Sequence, residues 1–234
     1  IEKYGGETIE LAVGYNDASA EAFRKSGSGV YTTSGGRFYH FGWLYQPLAK
    51  FSWETDVHAS FIEFRQKARS SFGWSYDYVK RLVLPPGESS LIIEHELRNV
   101  GEKRLASEHY NHNFILVDRI PPGPGYELEF GFPAVLERKE GGLCLSNDGR
   151  IASFSGPATA SSPLSGCPDA QSCHFTLRHK PSGMEISILE SEAPFRQAFY
   201  KSQYGICPES FVRIDLAPGE MMKWTRIYHF KALH

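Results

Sequence analysis

Short β-forming runs, broken roughly every 8–12 residues by Gly, Pro, Asn or Asp, recur along this chain and leave no room for a long helix. Ser75–Leu84 (SYDYVKRLVL) repeats Tyr, Val and Leu at close to strand period. The turn Pro85–Ser89 (PPGES) follows, then Ser90–Leu97 (SLIIEHEL), then the turn Asn99–Lys103 (NVGEK). Arg37–Tyr45 (RFYHFGWLY) reads as an earlier strand, and the rhythm resumes in HFTLRH, MEISIL, SFVRIDL and MKWTRIYHF. Such hairpin spacing predicts an all-β, mainly antiparallel sandwich or barrel. Ala18–Arg24 (ASAEAFR) is the one segment that reads as a helical turn or two. Asn147–Gln171, rich in Ser, Gly, Pro and Ala, reads as an extended loop region within a single domain over 1–234, because residues with chemistry lie on both sides of it.

Charge narrows the partners. Lys and Arg total 25 against 27 Asp and Glu, a net charge of −2. Nucleic-acid binders normally carry a basic stripe, which this balance disfavours. No apolar run reaches the ~18 residues of a membrane helix. Aromatic residues make up 14% of the chain, which suits a packed core and a neutral ligand such as a small sugar. Four cysteines are present. Cys167 and Cys173 flank CPDAQSC and fit either a disulfide in an oxidising compartment or two thiols in a reducing one. Their spacing is not that of a CxxC zinc or redox motif, and neither a metal nor a cofactor is expected. The chain starts at Ile1 with no visible leader, which leaves cytoplasmic and exported locations both open.

Two segments stand out chemically. In Ser107–Asp118 (SEHYNHNFILVD), strand alternation places Glu108, Tyr110, His112 and Phe114 on one face. His109, Asn111 and Asn113 take the other face, which argues against a metal site shared by His109 and His112. Polar clusters in a sheet line a cleft or satisfy nearby backbone, because an unpartnered buried polar group is costly. In Gly205–Phe230, Glu209 follows Pro208 and opens the predicted strand SFVRIDL; a lone Glu is ordinarily a solvated surface residue.

Taken together, these segments resemble the aldose 1-epimerases of the galactose mutarotase type. That family places an Asn-His motif at a strand end, after an "L-x-I-x-x-x-x-x-N" strand and a turn. Leu91, Ile93, Asn99 and Asn111-His112-Asn113-Phe114 stand in that order here. It also carries a Cys- and Pro-flanked glutamate near the C-terminus, then a Pro-Gly turn and a last strand. The counterparts are Cys207-Pro208-Glu209, Pro218-Gly219-Glu220 and Trp224–Phe230. The resemblance implies a β-supersandwich and the interconversion of sugar anomers. By motif match His112 would be the acid and Glu209 the base, with Asn111 and Tyr110 beside the sugar. A second histidine of the family finds its nearest counterpart in His40, with Arg37 as a sugar-contacting cation and Trp43 beside them, although His40 lacks the expected following glycine pair. His58 is a lesser candidate.

Two other functions compete, since one fold hosts many. A non-catalytic carbohydrate-binding domain would use Trp43, Trp53, Trp74 or Tyr204 as stacking platforms. A polysaccharide lyase would use Tyr110, Asn111 and His112, but acidic polymers favour a basic cleft and lyase sandwiches usually have a helical partner domain. No G-x-S-x-G elbow supports a serine hydrolase.

Overall fold

Alternating burial organises the molecule. The computed structural model describes residues 52–69, 73–139, 141–169 and 171–233, with the backbone of four short strands before residue 50. Along Ser90–Asn99, Ile93, His95, Leu97 and Asn99 turn inward while Glu94, Glu96 and Arg98 do not. This is the period-two pattern of a strand covered on one face.

The strands, numbered in chain order, pair antiparallel throughout the described residues. One sheet runs β1 (Gly6–Thr8), β9 (Leu105–His112), β18 (Gly205–Leu216), β17 (Arg196–Ser202), β14 (Ala160–Ser165) and β11 (Val135–Leu136). A larger one runs β12 (Leu143–Leu145), β13 (Ile151–Phe154), β10 (Tyr126–Phe130), β15 (Phe175–His179), β16 (Met184–Glu190), β19 (Met221–Ala232), β8 (Ser90–Asn99), β7 (Tyr76–Val83), β6 (Phe61–Ala68) and β5 (Glu54–Val57). β2 (Ala22–Lys25), β3 (Gly29–Thr32) and β4 (Pro47–Ala49) form a third, small sheet. The helical piece among the described residues is one 3-10 turn, Lys180–Ser182, and no described helix is long and apolar enough to cross a membrane.

Two apolar clusters join the large sheets face to face. Phe130, Phe175, Ile186, Ile188 and Tyr228 of the ten-stranded sheet meet Leu164, Phe199 and Ile206 of the six-stranded one. Further along, Tyr76, Tyr78, Leu97 and Trp224 meet Leu105, Val212, Ile214 and Leu216. The turn after β8 carries the chain from one sheet to the other. Asn99, wholly buried, fixes it: its amide donates to Lys103 O and Leu216 O, and its side-chain oxygen accepts from Gly101 N–H.

Several sequence expectations change. The described part of Ala18–Arg24 is strand, because Ala22–Lys25 pairs with Gly29–Thr32; seven residues are too few to nucleate a helix against a ladder partner. Asn147–Gln171 is not one extended loop: it contains β13 and β14, one in each large sheet. Trp74 is buried in the core beneath Lys103 and offers no stacking face for a ligand. Trp53 packs on Phe64 and Tyr78 of the ten-stranded sheet. The strand read at Arg37–Tyr45 lies outside the described residues.

Cys167 and Cys173 form a disulfide with Cα atoms 5.6 Å apart, between the end of β14 and the start of β15. It therefore ties the two large sheets across a short loop. In the chain-entropy account a loop of this size stabilises by about 2 kcal/mol. Reductant should lower the urea midpoint of the wild type accordingly and leave a Cys167→Ser/Cys173→Ser double variant unmoved. A wild type equally indifferent to reductant would show that the two thiols are not joined.

Candidate functional site

The site grows from the register between β9 and β18. Their ladder runs from Leu216↔Leu105 to Val212↔His109, stops, and resumes at the isolated bridge Ile206↔Ile115 in the same register. Over the interrupted stretch that register sets His112 directly opposite Glu209. Side chains so placed share a face, with Cβ atoms about 4.5–5.5 Å apart. Pro208 lies within the gap and brings no N–H to the ladder. β18 nevertheless runs straight through it, since Gly205–Phe211 stays paired to β17 on the other side. Glu209 is thus mid-strand, four residues beyond the strand start, where the sequence had placed it at the beginning.

Within the gap, Nδ1 of His112 lies 3.7 Å from Oε1 of Glu209 and 2.9 Å from Sγ of Cys207. The Cys207 thiol also approaches the carbonyl of Asn111 at 3.7 Å. The His112 side chain is 27% exposed and that of Glu209 12%. Burial pushes the Glu209 carboxyl up from 4.5 to about 7, despite opposing pulls from Arg196, the Cys207 hydrogen bond and Arg226. Desolvation lowers His112 from its ordinary value. It raises Cys207 well above the usual thiol range, so the group is a neutral thiol. A carboxyl and an imidazole 3.7 Å apart, each pushed toward its neutral form, titrate as a coupled pair that holds a single proton near neutrality.

Aromatic rings wall the pair. His112 stacks on Phe114 with centroids 4.8 Å apart and meets Tyr200 edge-on at 5.6 Å. Tyr110 shares the His112 face and stacks on Phe211 at 4.4 Å. Above Phe211 lies the Arg196 guanidinium, ion-paired to Glu108. Strand alternation thus brings Glu108, Tyr110 and His112 of β9 to the same side as Cys207, Glu209 and Phe211 of β18.

Asn111 lies on the other side. Its side chain is buried between the sheets, and its part at the site is the carbonyl facing Cys207. His109 is likewise internal, accepting from Trp224 Nε1 through Nδ1 at 3.2 Å beside His95. Asn113 turns inward too and donates to the Tyr228 hydroxyl. His58 stacks on Phe61 and pairs with Asp56 at the edge of the ten-stranded sheet. Arg37, His40 and Trp43 lie outside the described residues.

Cys207, Phe114 and Tyr200 complete the site without having been singled out. Cys207 was legible as the i−2 neighbour of Glu209 on a strand, had the strand been started early enough. Phe114 was already assigned to the His112 face. Tyr200 had no local signal, since only the β17–β18 pairing brings it opposite Cys207. The donor atoms of His112, Cys207 and Glu209 lie within 4.8 Å of one another, so these three are also where a soft divalent cation would be held.

No protein-family model matches the chain, and no curated protein matches it. Solved structures do. A protein proposed to be an aldose 1-epimerase from Escherichia coli K12 aligns with a TM-score of 0.64 at 15% identity, over 97% of this chain and 83% of its own. The GalM/aldose epimerase homologue of C. elegans aligns with a TM-score of 0.61 at 15% identity, over 99% and 81%. Galactose 1-epimerase from Lactobacillus acidophilus gives 0.59 at 14% identity, over 98% and 80%. At these identities the likeness defines the fold: this is a galactose mutarotase-like supersandwich, the architecture that the sequence motifs imply.

Proposed function

We propose that this protein interconverts the anomers of a small neutral sugar, with Glu209 as base and His112 as acid, in one domain spanning 1–234. The observation that carries the reading is the direct opposition of His112 and Glu209 across the gap between β9 and β18. The two core clusters, each drawing on both large sheets, support a single domain.

Glu209 takes the proton from the C1 hydroxyl. The O1 electrons form the C1=O bond, the C1–O5 bond breaks, and O5 takes the proton that His112 carried. The pair still holds one proton, now on Glu209. Rotation about C1–C2 turns the other face of the aldehyde to O5. The steps then reverse: Glu209 returns its proton to O1, and His112 recovers one from O5. With Nδ1 occupied by Cys207, Nε2 is the nitrogen left for the substrate. Phe114 and Tyr200 hold the imidazole plane and keep water from it. Each acid–base group of this kind contributes about 10²–10⁴-fold.

This proton count fixes the pH dependence. Below both pKa values each group is protonated and no base exists. Above both, neither holds a proton and no acid exists. The alkaline limb of kcat/KM should therefore fall near Glu209's value of about 7, and the acid limb below the ordinary 6.5 of histidine. Polarimetry on freshly dissolved glucose and galactose across pH 5–9 would measure it. A rate that climbs through pH 7 to a plateau would remove the shared-proton mechanism, and no acceleration with any sugar tested would remove the activity.

A further inference from the structure

The structure assigns a second sugar subsite beside the His112–Glu209 pair, so that the substrate is the reducing end of a neutral disaccharide or longer oligosaccharide. The inference rests on the mutarotase reading above. A pocket of about 360 Å³ opens between the segment Pro157–Thr159, Phe114 and Tyr200, and the turn Ser202–Tyr204. That volume falls in the ~300–1,000 Å³ range of small-molecule sites. Neither His112 nor Glu209 lines it, so a ring reacting at the pair leaves it free for something else.

Position ties the pocket to the pair. Phe114 and Tyr200 both wall the pocket and touch the His112 ring. Along the β17–β18 hairpin, the successive partners Glu209↔Ala198, Cys207↔Tyr200 and Gly205↔Ser202 lead from the base to the pocket. Each step of two residues advances about 7 Å, so the pocket lies one to two steps away, the reach of two linked pyranose rings. Gly205 permits the close approach of the hairpin tip. Its φ is +149°, and a Cβ there would stand 3.0 Å from both Ile115 O and Phe114 Cβ.

The wall is built to keep its shape. The Lys201 side chain is completely buried, and its ammonium donates to Ala158 O at 2.6 Å and to Gly156 O. A buried cation bonded to two loop carbonyls fixes the segment that faces Tyr200 and Tyr204. The lining itself is aromatic rings and apolar carbons, with the hydroxyls of Thr159 and Ser202 and the amide of Gln203. This amphipathic mixture suits a pyranose, with Tyr204, half exposed, as the broad face. Among the described residues no Lys, Arg or His lines the pocket, so a phosphate or carboxylate substituent would find no counter-charge from them. Mutarotation consumes a free C1 hydroxyl, so the attached group must hang from another carbon of the reacting ring. A disaccharide with a free reducing end meets that condition.

The test compares kcat/KM for maltose, lactose and cellobiose with that for glucose, galactose and glucose 6-phosphate. At least one disaccharide should exceed its monosaccharide several-fold in the wild type. Tyr204→Ala should cut the disaccharide-to-monosaccharide ratio by roughly tenfold, the scale of one lost stacking contact. Thr159→Trp, which fills the pocket from the other side, should cut the same ratio. Monosaccharide activity with no disaccharide preference, ratios unmoved by both variants, or a preference for the sugar phosphate would overturn the subsite alone. No acceleration with any of these sugars would overturn the mutarotase reading and the subsite with it.

Discussion

Glu209→Gln is expected to lose about 10²–10⁴ of the anomer interconversion rate and at the same time to become more stable than the wild type at alkaline pH. The amide keeps the size of the side chain and removes only the base. The stability gain follows from burial. A carboxyl whose folded pKa is raised favours the folded state most fully below its unfolded value, and that contribution is lost as pH climbs to the folded value. For Glu209 the window runs from 4.5 to about 7, which at ~1.4 kcal/mol per unit is at most about 3.5 kcal/mol lost to the wild type by pH 8. The amide never ionises and loses nothing. Anomer-resolved NMR would follow the rate, and urea denaturation at pH 5 and pH 8 the stability. Two variants equally stable at both pH values would mean that Glu209 is not held in a desolvating site. An unchanged rate would end its assignment as base.

Some of this arrangement could be read directly from the residues. Strands β7, β8, β16 and β19 announce themselves because inward and outward side chains alternate along part of each and a Pro or Gly turn lies at one end. The split faces of β9 were readable for the same reason, and they separate His112 from His109 and Asn111 as the strand does. What composition concealed is equally physical. β13 and β14 lie in a Ser-, Pro- and Ala-rich stretch because their stability comes from the neighbours they pair with rather than from their own propensity. Pro208 looks like a strand boundary, yet the ladder it interrupts is only the one toward β9. That interruption is the space in which Cys207, His112 and Glu209 meet. Asn111 was drawn to the sugar by motif alone, although the same alternation that exposes His112 must bury its neighbour.

Arg226→Met should be the most destabilising single change near the site, at about 3–5 kcal/mol. Arg226 and Glu190 are each 2% exposed in their side chains and lie 2.5 Å apart, one on β19 and one on β16. Burial opposes the Arg226 charge, but Glu190 and Tyr228 outweigh it and hold the guanidinium protonated. Removing the arginine leaves the Glu190 carboxylate without its partner in the interior. Arg226 also donates to the backbone carbonyl of Ser210, the residue after Glu209, so the loss reaches the floor of the site. A double variant, Glu190→Leu/Arg226→Met, replaces the pair with apolar volume and should recover most of the stability. It should not recover the pH profile. Arg226 is one of the charges that pull the Glu209 pKa down against desolvation, so without it the alkaline limb should move above about 7. Denaturant titrations of the single and double variants, read beside their rate profiles, separate the two roles. If the double variant regains both stability and the original limb, Arg226 is a structural residue only. If stability returns while the limb stays displaced, the buried ion pair sets the working pH of the proposed base from beneath the sheet.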